Sequence, residues 1–338
     1  MIQNKIISWY LKNKRTLPWR NTQNPYFIWL SEIILQQTRV AQGLPYYEKF
    51  TEKYPTVFDL AHAAEEEVLR LWQGLGYYSR GRNLHATARY IAGELGGSFP
   101  SSFSGLVQLK GIGAYTAAAI ASFAYKEKVA AIDGNAIRVI TRLYKIDKPV
   151  DAPATLEEIR EIARELISTV EPDLYNQAMM EFGAMLCTPK SPKCEICPVQ
   201  AECLSFPQKD FLRIPYKSKK TKVLDRSLHY LVPEHQGNFF MKQRTGADIW
   251  QNLFDFPETE PEELPALLKS LNAGPAHTFP PVTHILSHRK LTIFFTHCTL
   301  PGKDIALDGA WFTPEEVEKL AKPKVIVDFF SRMQADHH

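Results

Sequence analysis

Four of the five cysteines in this 338-residue chain fall at Cys187, Cys194, Cys197 and Cys203, a C-x6-C-x2-C-x5-C spacing. Four thiolates that close together in sequence can ligate one metal centre, and a loop that closes on a metal folds with it. Disulfide pairing is disfavoured. The N-terminal stretch MIQNKIISWYLKNKR has no apolar core followed by a small-residue cleavage site, so nothing marks the chain as secreted. Zinc and an iron–sulfur cluster are both compatible with the ligand set. The fifth cysteine, Cys298, stands alone in a strand-like run and is expected to be a buried small hydrophobe.

The cysteines close a region whose texture is helical. In residues 1–206, Leu17-Pro18-Trp19, Asn24-Pro25, Gly74-Leu75-Gly76, Gly96-Gly97, Gly111-Ile112-Gly113 and Asp133-Gly134 punctuate helix-length segments. The first segment reads as an amphipathic helix with Ile6, Ile7, Tyr10 and Leu11 on one face. Residues 207–226 carry seven Lys/Arg against two Asp/Glu and little periodicity, which suits a basic linker. Beyond them the pattern changes to short strand-like runs at 228–232, 238–241 and 291–298, with helical patterns at 262–271, 315–320 and 325–333. That mixture predicts a second, α+β domain. With 45% hydrophobic and 23% charged residues and no apolar run of membrane-spanning length, a cytoplasmic protein is the default expectation. His337 and His338 are set aside as possible tag residues.

Three further stretches carry chemistry. Gly111-Ile112-Gly113 precedes an apolar helix at roughly 115–124. Such a turn can aim backbone N–H groups at a DNA phosphate, where the helix dipole favours an anion. A single acid, Asp133, follows beside Gly134 and Asn135. In WLSEIILQQT, taken by itself, Ser31 reads as an N-cap that puts Glu32 in a first helical turn. Leu75-Gly76-Tyr77-Tyr78-Ser79-Arg80, followed by Arg82 and Asn83, interleaves aromatics with arginines, a composition suited to base stacking and phosphate contact.

Together WLSEIILQQT, GLGYYSR, LKGIGAYTA, IDGN and the cysteine spacing resemble the MutY-type adenine DNA glycosylases of the endonuclease III, helix-hairpin-helix superfamily. The resemblance covers essentially the whole chain. It implies a mainly α glycosylase domain at 1–206, with its helix-hairpin-helix at 109–120 and a [4Fe–4S] loop at 187–203. A linker at 207–226 and a Nudix-like, α+β lesion-recognition domain at 227–334 follow. No Arg-Glu-x-x-Glu-Glu run occurs after residue 227, so nucleotide hydrolysis by that domain is not expected.

The same resemblance implies that Glu32 is the general acid and Asp133 the stabiliser of an oxocarbenium-like sugar. Tyr115 and Asn135 would orient them, and Leu35 and Val40 would line the base pocket. Gln37 and Tyr77 would enter the DNA stack, Gly111 and Gly113 would hold a phosphate, and Ser287 and His288 would contact 8-oxoguanine. The lesion loop reads Leu286-Ser287-His288 where the family has Phe-Ser-His. Bifunctional relatives carry a Schiff-base lysine two residues after the hairpin; here that position is Tyr115. The expected protein is a monomeric, monofunctional enzyme acting on adenine opposite 8-oxoguanine or guanine in duplex DNA. A bifunctional pyrimidine glycosylase/lyase or a non-enzymatic iron–sulfur DNA-binding protein would share parts of the pattern.

Overall fold

The computed structural model describes residues 1–218, 224–286 and 289–335. Its helices in the first part of the chain are α1 (Ile2–Asn13), α2 (Pro25–Ile34), α3 (Val40–Lys53), α4 (Val57–His62), α5 (Glu65–Leu71), α6 (Ser79–Glu94), α7 (Phe103–Leu106), α8 (Ala114–Tyr125), α9 (Gly134–Leu143), α10 (Pro153–Ile167) and α11 (Pro172–Met185). In the remainder, β1 (Leu224–His235), β2 (Asn238–Gln243), β3 (Phe254–Asp255), α12 (Leu264–Ser270), β4 (Ala276–Thr278), β5 (Val282–Ile285), β6 (Arg289–Thr299), β7 (Ala310–Phe312), α13 (Pro314–Lys319) and α14 (Lys324–Ala335) follow. The chain divides into two compact units, Met1–Ala61 with Ala86–Lys220, and His62–His85 with Thr221–His338.

Helix boundaries in the first unit follow local chemistry. Asn24 accepts the Tyr26 N–H at 2.9 Å and Pro25 fills the first helical position, so α2 begins there. This corrects the reading of Ser31 as an N-cap. The Ser31 hydroxyl instead donates to the Ile28 carbonyl, and Ser31 and Glu32 lie in the last turns of α2. Asp133 caps α9 by accepting from the Ala136 N–H at 2.7 Å. Gly111 has φ +76°, the left-handed turn that lets the chain enter α8; Gly113 is extended and caps that helix without a side chain.

One core joins α1, α9, α10 and α11 through Ile6, Tyr10, Val139, Ile140, Ile159, Ala163, Met179 and Phe182, and Cys187, Cys197 and Cys203 pack against it. The apolar face expected for α1 is narrower than its sequence suggests: Ile6 and Tyr10 are buried, whereas Leu11 is 52% exposed. Residues 207–218 are tied down: the Val150 N–H donates to the Tyr216 carbonyl at 2.9 Å and the Ser218 N–H to Asp151 at 2.8 Å.

The second unit holds a mixed sheet of order β3-β2-β1-β6-β4, with β5 also paired to β6 and β7 to β2. Its centre is a long parallel pairing, Leu224↔Arg289 through Glu234↔Thr299. The first three residues of β1 thus belong to the segment expected as linker. Both faces are covered, which is why Leu228–Val232 reads as a nearly continuous apolar run. Tyr230 and Phe295 stack toward Phe329 of α14, while Leu231, Cys298 and Leu300 pack with α12. Cys298 is buried, as its strand setting predicts. The helix α12 reads LPALLKS and carries no carboxylate.

Candidate active site

Two acids from distant parts of the first unit share one site. Glu32 is a buried residue near the C-terminal end of α2. Burial pushes its carboxyl up to about 7, against a hydrogen bond from the Tyr115 hydroxyl; the nearby Asp133 charge raises it further and Arg20 opposes. The position within the helix works in the same direction, because the negative end of the helix dipole disfavours an anion there. Asp133 stands at the opposite kind of helix end. Burial raises its carboxyl too, but hydrogen bonds from Ala136 N–H (2.7 Å) and the Asn135 amide (2.6 Å), with Arg138 nearby, favour its charged form. The net direction for Asp133 is still upward, so one acid is held protonated by its burial while at the other a set of hydrogen bonds partly offsets the burial that works against its charge.

Tyr115, in the first turn of α8, joins them. Burial next to both acids holds its phenol well above the ordinary tyrosine range, so it stays protonated. Its hydroxyl lies 3.2 Å from the Met180 sulfur as well as on Glu32. Asn135 is braced in turn. Its side-chain oxygen accepts from Arg138 at 2.8 Å, and the same guanidinium donates to the Gly183 and Cys187 carbonyls at 2.7 and 2.8 Å.

One part of the site escaped the sequence reading. Glu181 on α11 is almost fully buried and accepts from both Arg15 (2.6 and 2.9 Å) and Arg20 (2.7 and 3.1 Å). Burial would raise this carboxyl, but the two guanidiniums outweigh it and hold it down at about 2. Arg20 also acts on Glu32, so this cluster forms part of the electrostatic surroundings of the raised acid. The available signal was one carboxylate between Met180 and Phe182 in an apolar stretch; its partners lie 161 and 166 residues away.

The remaining sequence-derived candidates fall as follows. Leu35 ends α2 and Val40 opens α3, both partly buried. Gln37 between them is exposed, with φ +56°. Tyr77, in the second unit, is 41% exposed, with φ +46°. Ser287 and His288 lie outside the described residues.

The four cysteines converge on one cavity bounded also by Arg142, Leu143 and Phe211. Burial pushes the Cys197 thiol up to about 12, so its thiolate calls for compensating positive charge. Arg142 supplies part of it, with its guanidinium 3.4 Å from the Cys187 sulfur. A metal centre fits this donor set.

Comparison with known proteins agrees with each part. Residues 30–172 match the HhH-GPD superfamily base excision DNA repair proteins, residues 187–203 the iron-sulfur binding domain of endonuclease III, and residues 229–332 the NUDIX domain. The adenine DNA glycosylase of Buchnera aphidicola subsp. Schizaphis graminum is 36% identical over 75% of this chain and 73% of its own length. That of Rattus norvegicus is 33% identical over 99% of this chain and 78% of its own. Among solved structures, a thermostable thymine-DNA glycosylase has 28% identity and a TM-score of 0.56, covering 61% of this chain and 95% of its own. A non-covalent endonuclease III–DNA complex, at 22% identity and TM-score 0.53, covers 61% and 94% and shows the same fold. A match running through 99% of the chain takes in the acid-bearing helices, the cysteine loop and the C-terminal sheet together, and it places this protein in the family of MutY-type adenine DNA glycosylases.

Proposed function

We propose that this DNA glycosylase removes adenine mispaired with 8-oxoguanine or guanine in duplex DNA and leaves the abasic strand uncut. The observation that carries the reading is the pairing of a buried Glu32, raised to about 7, with Asp133 at the N-terminus of α9. Adenine leaves poorly as an anion and well once protonated. The base is first turned out of the stack, at a cost of a few kcal/mol. Protonated Glu32 then gives its proton to adenine N7. The C1′–N9 bond breaks, and the Asp133 carboxylate stabilises the oxocarbenium-like sugar from its other face. Water adds at C1′ and gives up its proton to the Glu32 carboxylate left by the first step, which yields the abasic site and restores the acid. Tyr115 and Asn135 hold the two carboxyls in place. A tyrosine at position 115 offers no amine for a Schiff base, which supports a hydrolase without lyase activity.

Gln37 and Tyr77 are assigned to the DNA stack, Leu35 and Val40 to the base pocket, and Ser287 and His288 to the 8-oxoguanine face. Cys187, Cys194, Cys197 and Cys203 would hold a [4Fe–4S] cluster, which when bound supplies the positive charge the buried thiolates need.

Incubation with an A:8-oxoguanine duplex tests the activity. Strand cleavage is expected only after hot alkali. Cleavage without alkali would indicate a lyase, and an alkali-stable duplex a binding protein.

The hairpin has its own expected outcome. A Cβ on Gly113 would meet no heavy atom within 4 Å and its extended backbone suits any residue, so Gly113→Val is expected to fold, at the modest cost of a poorer N-cap for α8. The side chain would stand where the N–H groups receive a phosphate. Affinity should fall about three- to tenfold for matched and mispaired duplexes alike, the scale of one anion contact at a helix terminus. A variant that loses mispair preference but keeps its affinity for matched DNA would contradict the assignment.

A further inference from the structure

The loop from Trp72 to Arg80 belongs to the same unit as the C-terminal sheet, although it lies more than 140 residues before β1. Its two glycines turn the chain freely, but Tyr77 holds a left-handed backbone that is costly for a non-glycine residue. Gly74, Gly76 and Tyr77 have φ of +100°, +72° and +46°. Local contacts account for part of it. The Trp72 indole donates to the Gly76 carbonyl at 3.0 Å, and Arg80 donates to the Leu75 and Gly76 carbonyls at 3.1 and 3.3 Å. The Arg80 guanidinium lies over the Trp72 ring at 5.1 Å and the Tyr77 ring at 5.7 Å.

Further restraint comes from the far end of the chain. The Tyr78 hydroxyl, buried, donates to the Lys322 carbonyl at 3.0 Å, and the Lys322 N–H donates to the Gln73 side chain at 3.2 Å. Arg82 donates to the Gln251 carbonyl at 2.8 Å, and the Asn252 amide to Glu65 at 2.6 Å. Lys322 is itself locked. Its buried ammonium caps the end of α13 through the Leu320 carbonyl at 2.9 Å and the Val317 carbonyl. The preceding Ala321 carbonyl accepts from Phe254 N–H at 2.8 Å, at the start of β3.

We infer that Tyr78 and Gln73 are positioning residues, which clip the loop to the main chain of Lys322 and so fix where Tyr77 presents its ring to DNA. The C-terminal domain thereby contributes to excision through the wedge loop as well as through lesion contacts. The inference rests on the assignment of Tyr77 to the DNA stack. The chemistry argues for a holding role: a buried O–H and a half-buried side-chain amide meet the two main-chain groups of one residue, flanking the strained tyrosine on both sides.

A double-mutant cycle on the full-length protein tests it, read as single-turnover excision from an A:8-oxoguanine duplex. Tyr78→Phe keeps the ring and deletes one O–H. It should slow excision about three- to tenfold, the factor associated with one hydrogen bond, and lower thermal stability only by the cost of one stranded buried carbonyl, leaving the protein folded at the assay temperature. Tyr77→Ala should slow it more. Tyr77→Ala with Tyr78→Phe should be no slower than Tyr77→Ala alone, because the clip acts through Tyr77. Gln73→Met, which breaks the other bond, should show the same non-additivity. Additive losses, or a wild-type rate for both clip variants while Tyr77→Ala is impaired, would overturn the clip alone. A wild-type rate for Tyr77→Ala would overturn the stacking assignment and the inference with it.

Discussion

Glu32→Gln and Asp133→Asn will each lower single-turnover adenine excision by about a thousandfold or more, the scale of general acid and charge stabilisation, while duplex affinity stays near wild type. Neither change removes volume or breaks a helix. Each removes a proton or a charge from the reacting centre. Excision by the wild type should also fall as pH rises through about 7, the region where Glu32 loses its proton. Stability moves with it. The folded carboxyl binds its proton more tightly than the unfolded one, so the native state loses stability as pH rises from about 4.5 to about 7. A shift of that size is worth roughly 3 kcal/mol. Glu32→Gln should therefore be more heat-stable than wild type at pH 8 and show a flatter pH–stability profile. Wild-type excision by either variant would refute the assignment, and a lower melting temperature for Glu32→Gln at pH 8 would refute the account of its burial.

Breaking the cysteine loop will have a comparable effect on the protein itself. Arg142 is buried and donates to the carbonyls of Ile214 (2.8 Å), Thr188 (2.8 Å) and Pro189 (2.9 Å) as well as to the Cys187 sulfur. Arg142→Ala would strand those acceptors, at about 1–3 kcal/mol each, a large part of a typical domain's stability. Lysine would not rescue it, because one ammonium lacks the planar fork that reaches several carbonyls. Cys197→Ser removes one of the four proposed ligands. Both variants should give little soluble protein, and what remains should lack the yellow-brown colour and the roughly four irons per chain expected of the wild type. Wild-type protein purified anaerobically with stoichiometric zinc and no iron would reject the cluster. Full iron content in Arg142→Ala would reject the brace.

Signals confined to a few residues were legible without coordinates. The cysteine spacing, the Gly111 turn, Asp133 before α9 and the apolar runs of β1 and β6 depend on capping, φ preference and periodicity, which neighbouring residues determine. The role of Ser31 was misread for the same reason: a serine before an apolar run has the local form of a cap, but Asn24-Pro25 had already started the helix. That displacement carries Glu32 from the end of a helix that favours its charge to the end that favours its proton.

Other features are set by distance in space. The raised Glu32 needs Tyr115 and Asp133 beside it, and the lowered Glu181 needs Arg15 and Arg20. The left-handed Tyr77 shares its loop with bonds to Lys322, nearly 250 residues away. A side chain's pKa and a loop's strain measure the solvent excluded and the charges gathered around them. Packing between remote segments supplies both, so the sequence alone determined which residue types could do this chemistry, and the tertiary structure decided which of them are held in the surroundings the proposed reaction needs.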